Sequence, residues 1–393
     1  MKDPLKVLLW SPGGSGEHYN GPGLFTYRMY SGAQQSNLEL TLAHGAAQQQ
    51  SYALFENQHF ISKMGRSPKD QILFLLEAYK WLQVNHRDFD AMHAISGYHY
   101  SVLPGSWAEK LQLPVAIFVS NHLKQFSNGT GIKRFLKLGT KRRKMLKDIS
   151  CLIAMSNDIN DELLSYGVPE HKIARIPMGV DTSVFHPVGL PSDKSLLREK
   201  LEILDIPTVI FSGTLVRRKQ PHLLIESIIE LRKQGHEIQL LLVGPESQQE
   251  VEYAKGMKSL VETNGIADLV QWIGFTTEIT KYYQAADIYC LPSLNEGMSA
   301  SLLEAMACGL APVVTPVSGS TDVVSHEHNG LIVDGTIQSV SKAIGSYAND
   351  LTVLVQHGER SVDLVRHGYT KEIVYRAYED MLRRIAVGKY AAA

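Results

Sequence analysis

Short apolar runs alternate with longer mixed segments along the whole chain, and this alternation constrains the fold more than any other feature. Several mixed segments, such as residues 70–84 and 222–234, show helical periodicity. The apolar runs are residues 7–10, 38–43, 91–95, 114–119, 151–155 and 173–177, followed by 208–211, 238–243, 270–273, 288–291, 312–315 and 331–333. This α/β pattern predicts two Rossmann-like domains, each with a doubly wound parallel sheet of six strands, facing a cleft. Ligands bind such sheets at the carboxyl ends of the strands.

The composition is that of an ordinary globular protein. The chain has 393 residues, of which 44% are apolar and 20% are charged, and its formal net charge is −1. Bulk charge therefore indicates no nucleic-acid partner. Cys151, Cys290 and Cys308 lie in apolar surroundings without metal-ligand spacing, which predicts buried, reduced thiols. No signal peptide and no bilayer-spanning stretch is visible, so we expect a cytoplasmic protein that could dock on the inner membrane face.

Two carboxylates lie close together in residues 285–315. A turn after a predicted strand carries Glu296, and the helix-like segment 301–308 carries Glu304. A helix N-terminus attracts phosphate and carboxylates accept hydrogen bonds from sugar hydroxyls, so the segment suits an anionic, hydroxyl-rich ligand. Two plainer interpretations stay open. Ser301 and Glu304 also form a capping box, and Glu296 alone is typical of a solvated charge in a polar turn.

Three cations follow the first predicted strand of the second half of the chain. Arg217, Arg218 and Lys219 come after residues 208–211 and before a helix, at the carboxyl end of the strand. Arginine with its forked donors and lysine as a point charge would neutralise a diphosphate there. The alternative is an exposed loop of ordinary charge.

The carboxylate segment resembles the E-x7-E signature of retaining glycosyltransferases of the GT-B fold, most closely glycosyltransferase family 4. The matching residues are Asp287, Pro292, Ser293, Glu296, Gly297, Leu303, Glu304, Ala305, Met306, Ala307, Gly309, Pro312, Val313 and Val314. Residues 151–185 also resemble this family, with Met178 in place of its usual asparagine.

The resemblance implies three segments with different tasks. Residues 1–186 would form an N-terminal acceptor-binding domain, and residues 187–370 a C-terminal domain that binds a nucleotide sugar. Residues 371–393 would form a helix that crosses back to the N-terminal domain. Pro187, Gly189 and Pro191 are typical of a linker at the boundary.

The resemblance also gives the carboxylates their roles. Glu304 would hold the ribose hydroxyls of the donor. Glu296, with the backbone amides of Gly297, Met298 and Ser299, would hold the hydroxyls of the sugar ring.

The phosphate-binding motif of the family, G-R-L-x-x-x-K-G, is only partly present. Lys219 matches its lysine, but Thr214 stands at the arginine and Gln220 at the last glycine. We therefore expect Arg217 or Arg218 to supply the missing charge.

A glycine-rich loop follows the first predicted strand, and it contains Gly13, Gly14, Glu17 and His18. Glycines let a loop approach a ligand without clashes of Cβ atoms, although a plain flexible loop gives the same sequence. By the resemblance, Gly13 and Gly14 would face the donor diphosphate, and Glu17 and His18 would lie near the acceptor.

Two histidines end predicted strands, and such residues are more often structural than catalytic. His122 matches the family histidine beside the donor sugar, whereas His93 matches a structural position. Gly244 and Phe275 follow two strands of the second half, at places where the family holds the nucleotide base.

A basic cluster without an interrupting acid occupies residues 133–147. Its cations are Lys133, Arg134, Lys137, Lys141, Arg142, Arg143, Lys144 and Lys147. Interleaved apolar residues at helical spacing favour two interpretations equally, an amphipathic surface for anionic lipid or a solvated helix face.

The resemblance implies a retaining transfer of a sugar from a nucleotide sugar to a hydroxyl of a glycan, a lipid-linked molecule or another acceptor. A UDP-sugar is favoured as donor and a GDP-sugar is possible. No cofactor and no metal are expected, and the leaving phosphate would accept the proton of the acceptor. The alternatives are an epimerase or a glycosyl phosphorylase of the same fold, or a nucleotide-sugar-binding protein without turnover.

Overall fold

A computed structural model describes residues 4–14, 22–30, 37–45, 57–65, 67–96, 99–119 and 138–388. The chain divides into two compact units. The first unit comprises residues 1–177 and 371–393, and the second comprises residues 178–370. Residues 178–186, which the sequence assigned to the N-terminal domain, thus belong to the second unit. The backbone N–H of Val180 donates to the carbonyl of Tyr369 (2.8 Å), at the other end of this unit.

The described residues of the first unit form a parallel sheet of seven strands, in the order β3-β2-β1-β4-β5-β6-β7. The strands are β1 Leu5–Ser11, β2 Leu38–His44, β3 Asn57–Phe60, β4 Ala91–Ala94, β5 Val115–Val119, β6 Cys151–Ala154 and β7 Ile173–Arg175. The helices are Pro22–Tyr30, Pro68–Asn85, His99–Lys110, Leu138–Asp148, Asn157–Ser165 and Lys371–Ala386. All the strands but β3 correspond to predicted apolar runs.

The described residues of the second unit form a parallel sheet of six strands, in the order β10-β9-β8-β11-β12-β13. The strands are β8 Thr208–Ser212, β9 Gln239–Val243, β10 Val270–Gly274, β11 Ile288–Leu291, β12 Ala311–Val314 and β13 Leu331–Ile332. The helices are Pro191–Lys200, Pro221–Lys233, Val251–Thr263, Ile279–Ala285, Ala300–Ala307, Ser320–Val323, Ile337–Asn349 and Leu351–Gly368. The two Rossmann-like, doubly wound sheets that the sequence predicts are confirmed.

Each sheet has a point at which the strand order reverses. In the first sheet it lies between β1 and β4, and in the second between β8 and β11. Loops that leave neighbouring strands in opposite directions open a crevice at such a point, which is where doubly wound sheets bind ligands.

The signature residue Asp287 lies at the amino end of β11, away from the carboxyl edge of the sheet. Its carboxylate accepts from the backbone N–H of Thr208 (2.8 Å) and from Arg198 Nη2 (2.7 Å), and Lys194 Nζ lies 2.7 Å away. Asp287 therefore anchors the helix Pro191–Lys200 to the start of two strands, which is a structural role.

His93 on β4 is fully buried in the first unit. Tyr30 Oη lies 2.8 Å from its Nδ1, and its ring centre lies 5.4 Å from that of Tyr378 in the last helix. Burial lowers the pKa of His93 to about 3, so the ring is neutral. This environment fits the structural role expected of His93.

No helix in the described part of the chain is both long enough and apolar enough to cross a bilayer.

Candidate active site

Cations and a carboxylate from two neighbouring strands meet at the switch point of the second sheet. Glu296 follows β11, and its Oε1 lies 3.1 Å from Lys219 Nζ and 2.9 Å from Arg218 Nη1, both of which follow β8. The Lys219 and Glu296 side chains are largely buried, whereas half of the Arg218 side chain is exposed. Sequence analysis predicted both sides of this cluster, and the fold brings them into contact.

The loop that carries Glu296 is held by several polar contacts. Ser293 Oγ donates to Glu296 Oε1 (3.1 Å), and Thr315 Oγ1 donates to the carbonyl of Ser293 (2.6 Å). The backbone N–H of Leu294 donates to the carbonyl of Arg218 (2.8 Å). The carboxylate and the cations therefore belong to one connected framework.

Glycines form the carboxyl edge of three adjacent strands. Gly213, Gly244 and Gly274 follow or end β8, β9 and β10, and all have positive φ. A Cβ atom at Gly244 would lie 2.1 Å from the carbonyl oxygen of Gly213, and one at Gly213 would lie 3.1 Å from Lys219 Nζ. Glycine is required at residue 244 because a Cβ atom there would overlap the backbone of Gly213, and at residue 213 because its φ of 141° is a conformation that other residues rarely adopt.

The helix Ala300–Ala307 starts one residue earlier than predicted, and this corrects the interpretation of Ser301 as a cap. Ser299 is the N-cap residue, and Ser301 lies inside the helix. Ser301 Oγ pairs with Tyr289 Oη (2.7 Å) and Ser299 Oγ (2.9 Å). The capping-box interpretation of Ser301 and Glu304 is therefore wrong.

Glu304 is instead part of a buried hydrogen-bond chain. Its side chain is 7% exposed, and its Oε2 accepts from Tyr283 Oη (3.4 Å). Tyr283 Oη also lies 2.6 Å from Ser212 Oγ, at the end of β8. Glu304 thus connects to the end of β8, whereas Glu296 contacts Arg218 and Lys219 in the turn that follows this strand.

Arg217 and Arg218 point to different surroundings, although they are adjacent in a short 3₁₀ turn. Arg217 Cζ lies 4.9 Å from the centre of the Tyr253 ring, and its backbone N–H donates to Glu250 (2.8 Å). Only Arg218 of the two is seen beside Glu296. Thr214, which stands at the position of the motif arginine, is exposed.

Gln220, which replaces the last glycine of the motif, keeps a left-handed backbone (φ 50°, ψ 42°). A residue with a Cβ atom adopts this conformation at a cost of about 1 kcal/mol. Gln220 thus adopts a backbone conformation that glycine would adopt without this cost.

The other predicted residues are distributed over both units. Gly13 and Gly14 follow β1 in the first unit, where the backbone N–H of Gly14 donates to the carbonyl of Ser11 (2.8 Å). Phe275 follows β10 and is 77% exposed, and Met298 Sδ accepts from the backbone N–H of Met178 (3.3 Å). Glu17, His18 and His122 lie outside the described residues, as do Lys133, Arg134 and Lys137.

Three residues at the site were not found by sequence analysis. Gly319 has φ 75°, and its Cα packs against the loop of Glu296, while Thr315 and Tyr283 donate hydrogen bonds within the cluster. A glycine with positive φ can be suspected from the sequence, but the contact of Gly319 with the loop of Glu296 cannot be predicted from it.

The arrangement offers groups for two kinds of contact, with an anion and with hydroxyls that donate to a carboxylate. Lys219 and Arg218 offer positive charge, and the N-terminus of Ala300–Ala307 adds partly positive N–H groups. Among the described residues, no group of three His, Cys, Asp or Glu side chains is arranged to hold a metal ion.

Two protein families match the chain. The family described as "Glycosyl transferases group 1" matches residues 193–360, and the family described as "Glycosyltransferase Family 4" matches residues 19–184.

Curated relatives match over part of their length. The D-inositol 3-phosphate glycosyltransferase of Stackebrandtia nassauensis is 29% identical over 239 residues, covering 56% of this chain and 52% of the relative. The GDP-mannose-dependent alpha-(1-6)-phosphatidylinositol monomannoside mannosyltransferase of Mycobacterium tuberculosis is 26% identical over 225 residues. This match covers 55% of this chain and 57% of the relative. The chain thus spans about half the length of the curated relatives it matches.

Solved structures share the fold over nearly the whole chain. Anabaena HepE, solved in complex with UDP, has a TM-score of 0.79 at 18% identity, over 96% of this chain and 99% of that chain. The sucrose-phosphate synthase of Thermosynechococcus elongatus has a TM-score of 0.77 at 19% identity, over 98% of this chain and 100% of that chain. The two parallel sheets, the two matching families and these structural neighbours make the chain a member of glycosyltransferase family 4 with the GT-B fold.

Proposed function

We propose that this protein transfers a sugar from a nucleotide sugar to a hydroxyl of an acceptor, and that the second unit binds the donor. The observation that carries the proposal is the meeting of Lys219, Arg218 and Glu296 at the switch point of the second sheet. Two cations that would neutralise a diphosphate thus lie within about 3 Å of a carboxylate that would accept hydrogen bonds from sugar hydroxyls.

The chemistry follows from the charges. The diphosphate gains negative charge as its bond to the sugar breaks, and Lys219, Arg218 and nearby backbone amides would stabilise that charge. Glu296 and the amides of Gly297–Ser299 would hold the sugar ring, and Glu304 the ribose. The leaving phosphate itself would take the proton of the acceptor hydroxyl. The hydroxyl would therefore attack the face of the sugar from which the phosphate departs, so the anomeric configuration of the sugar would be retained.

The donor and the acceptor can be narrowed by class. UDP-sugars are the first donors to test and GDP-sugars the second, since the mycobacterial relative is named for its dependence on GDP-mannose. Relatives are named for inositol phosphate and for a phosphatidylinositol mannoside, which favours a polyol or glycolipid hydroxyl as acceptor here. No cofactor and no metal belong to the proposal.

Donor binding and turnover are tested separately. A thermal-shift panel of UDP-, GDP- and ADP-sugars should raise the melting temperature with one base, because a ligand of the native state stabilises it. Hydrolysis of the bound donor without acceptor should be slow but measurable, and the product sugar should keep its configuration by NMR. Binding without any turnover would contradict the proposal and favour a nucleotide-sugar-binding protein. Conversion of the donor to its epimer, or phosphorolysis of a glycoside, would favour one of the same-fold alternatives.

We also propose that the basic cluster attracts the protein to an anionic membrane surface in the cytoplasm. In the helix Leu138–Asp148, Lys144 and Lys147 are exposed, whereas Leu146 and the following Ile149 are fully buried in the first unit. The apolar side is thus used for packing, which favours attraction by charge over insertion. Flotation with vesicles containing about 30% anionic lipid should recover the protein, and equal recovery with neutral vesicles would refute this.

A further inference from the structure

A fully buried tyrosine connects the predicted ribose-binding carboxylate to the strand that leads to the phosphate-binding cations. Tyr283 Oη lies 3.4 Å from Glu304 Oε2 and 2.6 Å from Ser212 Oγ. Its ring packs against Phe185 (ring centres 6.2 Å apart) and Tyr289 (6.3 Å). The ring is thus fixed independently of the hydroxyl.

The donor and the acceptor in each of these two hydrogen bonds follow from the single proton of the Tyr283 hydroxyl. Burial, and then the nearby Glu304 carboxylate, raise the pKa of Tyr283 well above its ordinary value, so the phenol keeps its proton. A carboxylate can only accept, so this single proton goes to Glu304 Oε2. Ser212 then donates to Tyr283 Oη, and the chain runs from Ser212 through Tyr283 to Glu304.

The position of this series of hydrogen bonds suits a role in ligand binding. Ser212 is followed by Gly213, whose backbone lies under the Lys219 side chain. Ser301 Oγ lies 3.4 Å from the carbonyl of Ser212, so the helix that carries Glu304 is attached to the same strand end. A carboxylate on a short helix is thereby oriented by contacts from β8 and from the helix Ile279–Ala285.

We propose that Tyr283 is a positioning residue, which orients the Glu304 carboxylate so that it selects donors with a ribose over donors with a deoxyribose. This inference rests on the proposed function, because it gives Glu304 a nucleoside diphosphate to recognise. Tyr283 itself does not touch the ligand. It donates to one carboxylate oxygen and thereby restricts the rotation of the carboxyl group.

The test measures the preference for ribose rather than activity alone. Dissociation constants for UDP or GDP, whichever stabilises the wild-type protein, are compared with those for the 2′-deoxy and 3′-deoxy analogues. Tyr283→Phe should weaken binding of the ribonucleotide about fivefold and leave binding of the deoxy analogues nearly unchanged. The ratio of the two constants should therefore fall, and KM for the donor should rise more than kcat falls.

The matched control is Tyr347→Phe. Tyr347 is also buried in the second unit, and its Oη pairs with His357 Nδ1 (2.7 Å) at a place remote in sequence from the site. It should lose similar stability and keep the wild-type preference for ribose. In Glu304→Gln the added change Tyr283→Phe should have little further effect on nucleotide affinity, because residues that act through each other are not additive.

The outcomes separate this inference from the proposed function. A wild-type protein that binds no nucleoside diphosphate overturns the proposed function, and this inference with it. Wild-type binding with an unchanged ribose preference in Tyr283→Phe, or an equal loss of preference in Tyr347→Phe, overturns only the role of Tyr283.

Discussion

Gly319 packs its Cα against the carbonyl group of Gly297, so closely that a Cβ atom there would lie 2.2 Å from the Gly297 oxygen. Gly319 is also in the left-handed region, with φ 75°. The loop after β12 therefore fixes the backbone of the loop after β11, which carries Glu296. A hydrogen atom as side chain is what allows the two loops to meet.

Gly319→Ala should consequently harm both stability and donor binding. The positive φ costs about 1 kcal/mol, and displacement of Gly297 adds at least as much, while donor affinity should fall about tenfold. Urea unfolding and nucleotide titration measure the two effects. Gly235→Ala is the matched control, since Gly235 has φ 84° but its Cβ would meet nothing within 4 Å. Equal losses of affinity in the two variants would contradict the proposed support of the loop.

The two arginines of the 3₁₀ turn should differ in their effect on diphosphate binding. Arg218→Ala removes a cation beside Glu296, and because half of that side chain is exposed we expect a loss of affinity of only about threefold to tenfold. Arg217→Ala removes a cation that lies over Tyr253 and should leave the affinity within about twofold. Calorimetric titration with the nucleoside diphosphate at low and high salt measures this. An equal loss in both variants would exclude Arg218 as the substitute for the missing motif arginine.

Asp287→Asn should destabilise the second unit without changing the site. Its carboxylate accepts hydrogen bonds from Arg198 and the backbone N–H of Thr208 and pairs with Lys194, and Arg198 is only 9% exposed. Leaving a buried charge without its partner costs about 3 kcal/mol. Asp268→Asn breaks a surface ion pair with Arg232 and should cost less than about 1 kcal/mol. Chemical unfolding tests both variants, and a reduced nucleotide affinity of folded Asp287→Asn would show that this residue does more than anchor a helix.

The buried, neutral His93 should make the first unit sensitive to mild acid. Its pKa is about 3 in the folded state against an ordinary value of 6.5, so between these values the unfolded chain binds a proton that the folded chain does not. The contribution of His93 to the free energy of unfolding is therefore fully present above about pH 6.5. It falls as the pH is lowered toward about 3, by up to about 1.4 kcal/mol per pH unit.

Hydrogen exchange of the β4 amides at about pH 7 and pH 5.5 measures this loss, once corrected for the intrinsic rates. His44 in the same unit also has a pKa lowered by burial, so the wild-type change contains its contribution as well. His93→Gln is the appropriate comparison, since it cannot titrate. A pH dependence that persists at full size in His93→Gln would assign the effect to other groups.

Much of the fold could be predicted from sequence, because central strands of parallel sheets are buried on both faces and form continuous apolar runs. The same reasoning missed β3, since Asn57–Phe60 is mostly polar and lies at the edge of its sheet, where three of its four residues are exposed. This strand pairs with β2 alone, and its exposed polar side chains do not form the apolar run by which the other strands were found.

The site was predictable in its residue types but not in its contacts. The carboxylates and cations follow strands that share a sheet edge, so their proximity could be expected from topology. Sequence could not distinguish Arg217 from Arg218, because adjacent residues of a tight turn face different neighbours. It also misplaced Ser301, whose hydroxyl bonds sideways to Tyr289, a contact that depends on tertiary packing.

The helix Lys371–Ala386 belongs to the first unit, although the whole second unit precedes it in the chain. Buried side chains of that helix, among them Tyr378 and Leu382, therefore reach their places only after synthesis of the second unit is finished. On the ribosome, residues 178–370 form a continuous stretch that can fold as soon as it emerges. The unit that is translated first is thus the one that is completed last.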